Sequence, residues 1–162
     1  GSSATSVEFS AIPGTYTDLV LKASVRNDDT GASYFRVYFN NETTGTNYSQ
    51  TYLYGNGATA GSSKQLNNNY GITVVRSDSS SDTSNTFASV EIYIPSYTAS
   101  QSKSSSTESA METNSATAYM NAIAGLWNNT DAITSIQCSM AFAGGPSFVT
   151  GSSFYLYGIS NS

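Results

Sequence analysis

Histidine is absent from this 162-residue chain, and cysteine occurs once, as Cys138. Without histidine there is no Ser-His-Asp or Cys-His relay and no imidazole ligand for zinc. One cysteine gives no intrachain disulfide, no thiolate cluster and no CxxC redox pair. Charge is scarce too: Asp, Glu, Lys and Arg make up 10% of the residues, less than half of the ~25% of ordinary soluble domains. The six basic residues, Lys22, Arg26, Arg36, Lys64, Arg76 and Lys103, are scattered, and the formal net charge is −5. Nucleic-acid binding needs a basic patch against the phosphates, so no nucleic-acid partner is expected. No apolar run approaches the ~18 residues of a membrane-spanning helix, and no membrane partner is expected either.

What the chain has in abundance is small and polar: 30 Ser, 19 Thr and 14 Asn, together with 12 Tyr that supply large amphipathic area. Apolar residues recur with period two rather than 3.6, the signature of strands. Leu19, Leu21, Ala23 and Val25 alternate with Val20, Lys22, Ser24 and Arg26. Phe35, Val37 and Phe39 alternate with Tyr34, Arg36 and Tyr38. Ala88, Val90, Ile92 and Ile94 alternate with Ser89, Glu91 and Tyr93. Asn27-Asp28-Asp29-Thr30-Gly31 and Asn40 to Gly45 read as turns. Gly55 to Asn69 reads as a long polar connection, Ser77 to Asn85 as a loop, and Gly144-Gly145-Pro146 as a turn.

Thr98 to Thr117, polar throughout, reads as an exposed edge strand. Tyr119 to Trp127 reads as a strand rather than a helix, because Gly125 and the missing N-cap count against a helix. A parity break between Ile133 and Ile136 predicts a bulge. Eight to ten short strands without a convincing helix predict an all-β fold: an antiparallel, jelly-roll-like β-sandwich. A single domain over residues 1–162 is expected, with residues 1–6 a tag remnant or flexible end.

The order of the segments carries a family resemblance. Ile12-Pro13-Gly14-Thr15-Tyr16-Thr17-Asp18-Leu19-Val20-Leu21 is followed by Phe39-Asn40, Asn47-Tyr48-Ser49 and Leu53-Tyr54-Gly55-Asn56-Gly57. Then come Ile92-Tyr93-Ile94-Pro95-Ser96-Tyr97, Ala124-Gly125-Leu126-Trp127, Ala132-Ile133-Thr134-Ser135-Ile136 and Gly151-Ser152-Ser153-Phe154-Tyr155-Leu156-Tyr157-Gly158-Ile159. From about Ile12 to Ile159 this series resembles a domain of structural proteins of tailed bacteriophages, especially marine and cyanobacterial ones.

The resemblance implies a β-sandwich on the exterior of a virion, with no catalytic residues and no cofactor. Its partners would be the major capsid protein, other virion proteins or further copies of the same chain, a homotrimer by analogy with other viral jelly rolls. Capsid decoration or cementing and head-fibre structure are the roles this favours. A receptor- or glycan-binding fibre domain, and a secreted bacterial carbohydrate-binding or adhesin module, are the alternatives.

Within the sequence, Tyr48, Tyr52 and Tyr54 share one face of a strand and are candidate contacts for a host-surface glycan or a second subunit. Tyr38, Arg36, Asn40, Gln50 and Asn56 lie near enough to join them. Glu91, and Glu108 with Glu112, are the carboxylates to weigh for glycosidic chemistry, which requires a pair across a cleft. Asp28-Asp29 and Asp78 with Asp82 are better read as turn formers than as calcium ligands. Gly55-Asn56-Gly57-Ala58-Thr59-Ala60 matches a dinucleotide fingerprint in letters only, since no amphipathic helix follows it. Cys138 reads as a small buried hydrophobe.

Overall fold

A computed structural model describes residues 3–31, 33–43, 45–68, 70–116, 118–140 and 145–161, and among them there are eleven strands and no helix. A narrow sheet contains β1 (Ser6–Phe9), β10 (Ile136–Met140), β3 (Ser33–Phe39) and β6 (Ile72–Ser77), in that order. The wide sheet runs β11 (Ser153–Ile159), β2 (Asp18–Val25), β7 (Ala88–Ile94), β8 (Lys103–Glu112), β9 (Ala118–Trp127), β4 (Tyr48–Gly55) and β5 (Ala60–Asn68). Every pairing is antiparallel. The chain alternates between the sheets along a jelly-roll path. A meander, β7–β9, occupies the place of one strand, and β11 is added at the edge.

The alternation that marks the strands also fills the core. Leu19, Leu21, Ala23 and Val25 of β2 are buried, as are Ala88, Val90, Ile92 and Ile94 of β7. Phe35, Val37 and Phe39 of β3 and Ile136, Cys138 and Met140 of β10 meet them from the narrow sheet in one continuous cluster. Burial pushes the Cys138 thiol well above its usual range, so it stays protonated and inert.

Three expectations from the sequence are corrected. Gly55 to Asn69 is not a loop throughout. After the turn at 56–59 the chain returns as edge strand β5, against β4. Asn56 Oδ1 closes that turn, accepting from the amides of Ala58 and Thr59 at 3.1 and 2.8 Å. The polar stretch before residue 117 is not an edge: β8 lies between β7 and β9. No bulge interrupts β10, whose register is continuous from Ile136; Ile133 lies in the lead-in, its amide donating to Tyr97 O at 3.0 Å. Within residues 3–6, Ala4 exchanges two backbone hydrogen bonds with Phe148, and Ser6 opens β1. Of the expected turn at 144–146, Gly144 lies outside the described residues.

The polarity of β8 has a steric cause. Its inner face is Lys103, Ser105, Thr107, Ser109 and Met111, all buried, and β6 crosses directly over it. Facing sheets usually lie about 10 Å apart, yet Cα atoms of β6 come within 8 Å of those of β8 and β9. Hydroxyl-sized side chains and Gly125 make that approach possible. A Cβ at Gly125 would lie 2.5 Å from Ser105 Oγ and 2.9 Å from Ile72 Cδ1. Ser109 Oγ donates to the Val74 carbonyl at 3.0 Å, tying the two strands together. Lys103 closes the end of the row: its Nζ donates to Gln101 O at 2.5 Å and lies 6.0 Å from the Trp127 ring centroid. Burial holds that ammonium below the usual lysine range, and Asp131 offsets part of the effect.

Gly125→Val, which drives branched carbons into Ser105 and Ile72, is therefore expected to cost about 1–3 kcal/mol of stability. Ala124→Val, one residue away on the solvent face, should change it by less than about 0.5 kcal/mol. Urea midpoints of the two variants measure the difference.

Candidate functional site

The wide sheet exceeds the narrow one by three strands, and at ~4.8 Å per strand about 14 Å of its inner face is left over. The two sides are treated differently. Beside β11, the segment between β1 and β2 folds back over the sheet. Tyr16 lies flat on Gly158, where a Cβ would come within 2.2 Å of its ring, and the Tyr97 hydroxyl donates to the Pro13 carbonyl. Beside β4 and β5 a groove of about 710 Å³ remains, within the ~300–1,000 Å³ usual for ligand sites.

Tyr48, Gln50, Tyr52 and Tyr54 occupy alternate positions of β4 and share its inner face. Burial falls along the row: Tyr48 and Gln50 are buried, Tyr52 and Tyr54 only half-buried. The strand is running out from beneath β6. β9, antiparallel to it, shows the same gradient in reverse, from buried Trp127, Gly125 and Ile123 to half-buried Asn121 and Tyr119. Ser63 and Gln65 of β5 extend the floor. Thr73, Val74 and Arg76 of β6 form the opposite wall, with Tyr70 before them and Tyr34 and Arg36 from β3.

Local packing fixes these side chains. The Tyr52 and Tyr54 rings lie 6.2 Å apart, and Tyr54 reaches across β5 over Gly61, where a Cβ would sit 2.7 Å from its hydroxyl. Gln50 Oε1 accepts from the Thr73 amide at 2.9 Å, capping the free edge of β6 and closing the groove's inner end. The Arg36 guanidinium stands 4.9 Å from the Tyr70 ring centroid and that of Arg76 5.7 Å from Tyr119, both within cation–π range.

Of the residues singled out in the sequence, Tyr52, Tyr54, Arg36, Gln50 and Asn56 meet in this groove. Tyr48 and Tyr38 do not, being core residues with 0% and 5% of their surface exposed. The Tyr48 hydroxyl accepts from the Phe39 amide at 2.9 Å, and its ring meets Tyr38 edge-on. Burial lifts its phenol far above the usual tyrosine range, and Glu42 adds to the effect. Asn40 lies elsewhere, binding Ala132 O and the Thr134 amide at 2.8 Å each. Tyr34, Tyr70, Arg76, Tyr119 and Asn121 were not read as site residues. Only the parity of Tyr119 with Ile123 hinted that it faced inward; nothing local places the other four beside β4.

The carboxylates assemble no cleft. The register sets Glu108 opposite Glu91 on the open outer face, where Glu91 pairs with Lys22 at 2.8 Å, while Glu112 lies opposite Ala118. Asp29 accepts from the Gly31 amide and the Ser33 hydroxyl, and Asp82 from the amide and hydroxyl of Ser79. Among the described residues no three His, Cys, Asp or Glu side chains gather as a metal site would require. The letters resembling a dinucleotide fingerprint form the β4–β5 hairpin.

No family model matches this chain, and neither the curated proteins nor the solved structures compared with it include a match.

Truncating the two ends of the tyrosine row separates core from groove. Tyr48→Ala is expected to cost about 3–5 kcal/mol, as for other buried aromatics. Tyr54→Ala should cost about 1 kcal/mol or less, with denaturant midpoints as the measure.

Proposed function

We propose that this chain is a non-enzymatic attachment module that holds an oligosaccharide in the tyrosine-lined groove. The observation that carries the reading is the convergence of five tyrosines, 34, 52, 54, 70 and 119, with the amides of Gln50, Asn56, Gln65 and Asn121 on one open groove. A sugar ring offers an apolar C–H face that an aromatic ring can cover, removing apolar area from water. Its hydroxyls need donors and acceptors together, which a side-chain amide supplies at one end. The groove's lining includes no Asp or Glu, so the carboxylate pair of glycosidic cleavage is missing where a sugar would lie. That favours binding over hydrolysis. The resemblance to exterior domains of tailed phages supplies the setting: a virion surface, with a host-surface glycan as the partner.

A glycan array screened with the wild-type protein tests the reading. Hits should be lost in a Tyr52→Ala, Tyr54→Ala double variant that still unfolds cooperatively. Binding that survives both substitutions would make the row structural.

A second reading, capsid decoration or cementing, is favoured by the outer face of the wide sheet. There Met120, Leu53 and Leu126 are 67%, 60% and 36% exposed beside Ala110, Ala122 and Ala124. This exposed apolar patch suits burial against the major capsid protein or against further copies in a trimer. Copy number in purified particles, by quantitative mass spectrometry, separates the two. The attachment role predicts a few to a few dozen copies per particle, whereas a count near that of the capsid protein would favour decoration.

A further inference from the structure

We propose that the groove's ligand is an anionic saccharide, whose carboxylate or sulfate is taken by Arg76 with Arg36 as the second cation. The inference rests on the saccharide reading above and names the class of sugar.

Charge is the first argument. The chain has eleven acidic residues and three arginines, yet two of those arginines and none of the acids line the groove. The third, Arg26, is spent on structure: its guanidinium donates to the carbonyls of Asp82, Thr83 and Thr86 at 2.8–3.2 Å. A protein of net charge −5 that gathers its guanidiniums where no carboxylate lines the surface has built a local positive site on a negative molecule. Screening shortens the reach of acids outside the lining to about 10 Å at ordinary ionic strength; Asp78, two residues on from Arg76, is buried and does not line the groove.

Geometry is the second. The Arg76 guanidinium lies over the Tyr119 ring at 5.7 Å and lines the groove, and its planar fork of donors is the shape that matches a carboxylate or sulfate. Its Nε is buried with no hydrogen-bond partner, and so is Gln65 Oε1 across the same groove. Buried polar atoms are nearly always paired. A donor and an acceptor left over in one groove fit a ligand carrying both an anion and hydroxyls. Nucleic acid would also bring anions and stacking faces, but its backbone needs a basic track along the whole groove. Two guanidiniums beside neutral amides do not make one.

Four probes test the proposal on the intact protein by affinity electrophoresis and calorimetry: polygalacturonate for carboxylate, heparin for sulfate, dextran as the neutral polymer, and oligo(dT). The expected result is binding of polygalacturonate or heparin, whichever of the two assigns the anion. It should weaken as salt rises from about 20 to about 300 mM. Arg76→Gln should weaken it by about tenfold or more, the scale of one lost charge-assisted contact. Arg36→Gln should act in the same direction, and thermal unfolding of each variant shows whether the fold is intact. Dextran binding that Arg76→Gln leaves unchanged, without binding of either acidic polymer, would overturn the anionic inference and leave the saccharide reading standing. Binding of oligo(dT) alone, or of none of the four, would overturn both.

Discussion

The close seating of β6 on β8 and β9 is the constraint on which the rest of this molecule depends. Two sheets at ordinary spacing would leave room for large apolar side chains between every facing pair of strands. Here the inner face of β8 is built from Ser105, Thr107 and Ser109, and β9 contributes Gly125 at the point of closest approach. The gap closes, and the sheets are pinched along one line. On one side of it lies the aliphatic and aromatic core of β2, β7, β3 and β10. On the other, β4, β5 and the first half of β9 extend past the free edge of β6 and have no partner sheet.

That geometry turns one strand into two environments. β4 begins in the core with Tyr48, packed against Tyr38 and Phe39 of β3, where its hydroxyl must find the Phe39 backbone because water is excluded. Six residues later Tyr54 lies across Gly61 at the groove. The same residue type on the same strand face is a core residue at one end and a binding platform at the other. The distance from β6 decides which. The groove persists because the chain spends its covering segment elsewhere: residues 12–16 pack over the opposite margin, against Gly158, and leave a smaller cavity of about 280 Å³ there.

Much of the sandwich was legible because burial follows alternation wherever the alternating residues are large and apolar. β2, β3, β7 and β9 were readable on that ground, and so were the turns where Asn27 and Asp29 accept neighbouring amides. β5 and β8 were harder, since the Gly, Asn, Lys, Glu and Ala they contain have weak strand preference. Their structure comes from pairing to neighbours remote in sequence. A hydroxyl stripe on a central strand reads as solvent-facing until the strand crossing it is known. The groove was half legible. Residues on β4 itself could be grouped by spacing, but Arg76 and Tyr119 arrive from strands on other sheet positions. No local pattern links them.

Composition and period alone therefore determined that this is an all-β chain without histidine or disulfide chemistry, with its apolar faces and most of its turns. These are local properties, set by side-chain chemistry and the two-residue repeat of a strand. Tertiary structure alone decided that β8 is central, that Tyr38 and Tyr48 belong to the core, and that five tyrosines, two arginines and the amides share one groove. Those outcomes depend on which strands lie opposite each other and how closely. The register of long-range pairing and the unequal widths of the two sheets set that arrangement.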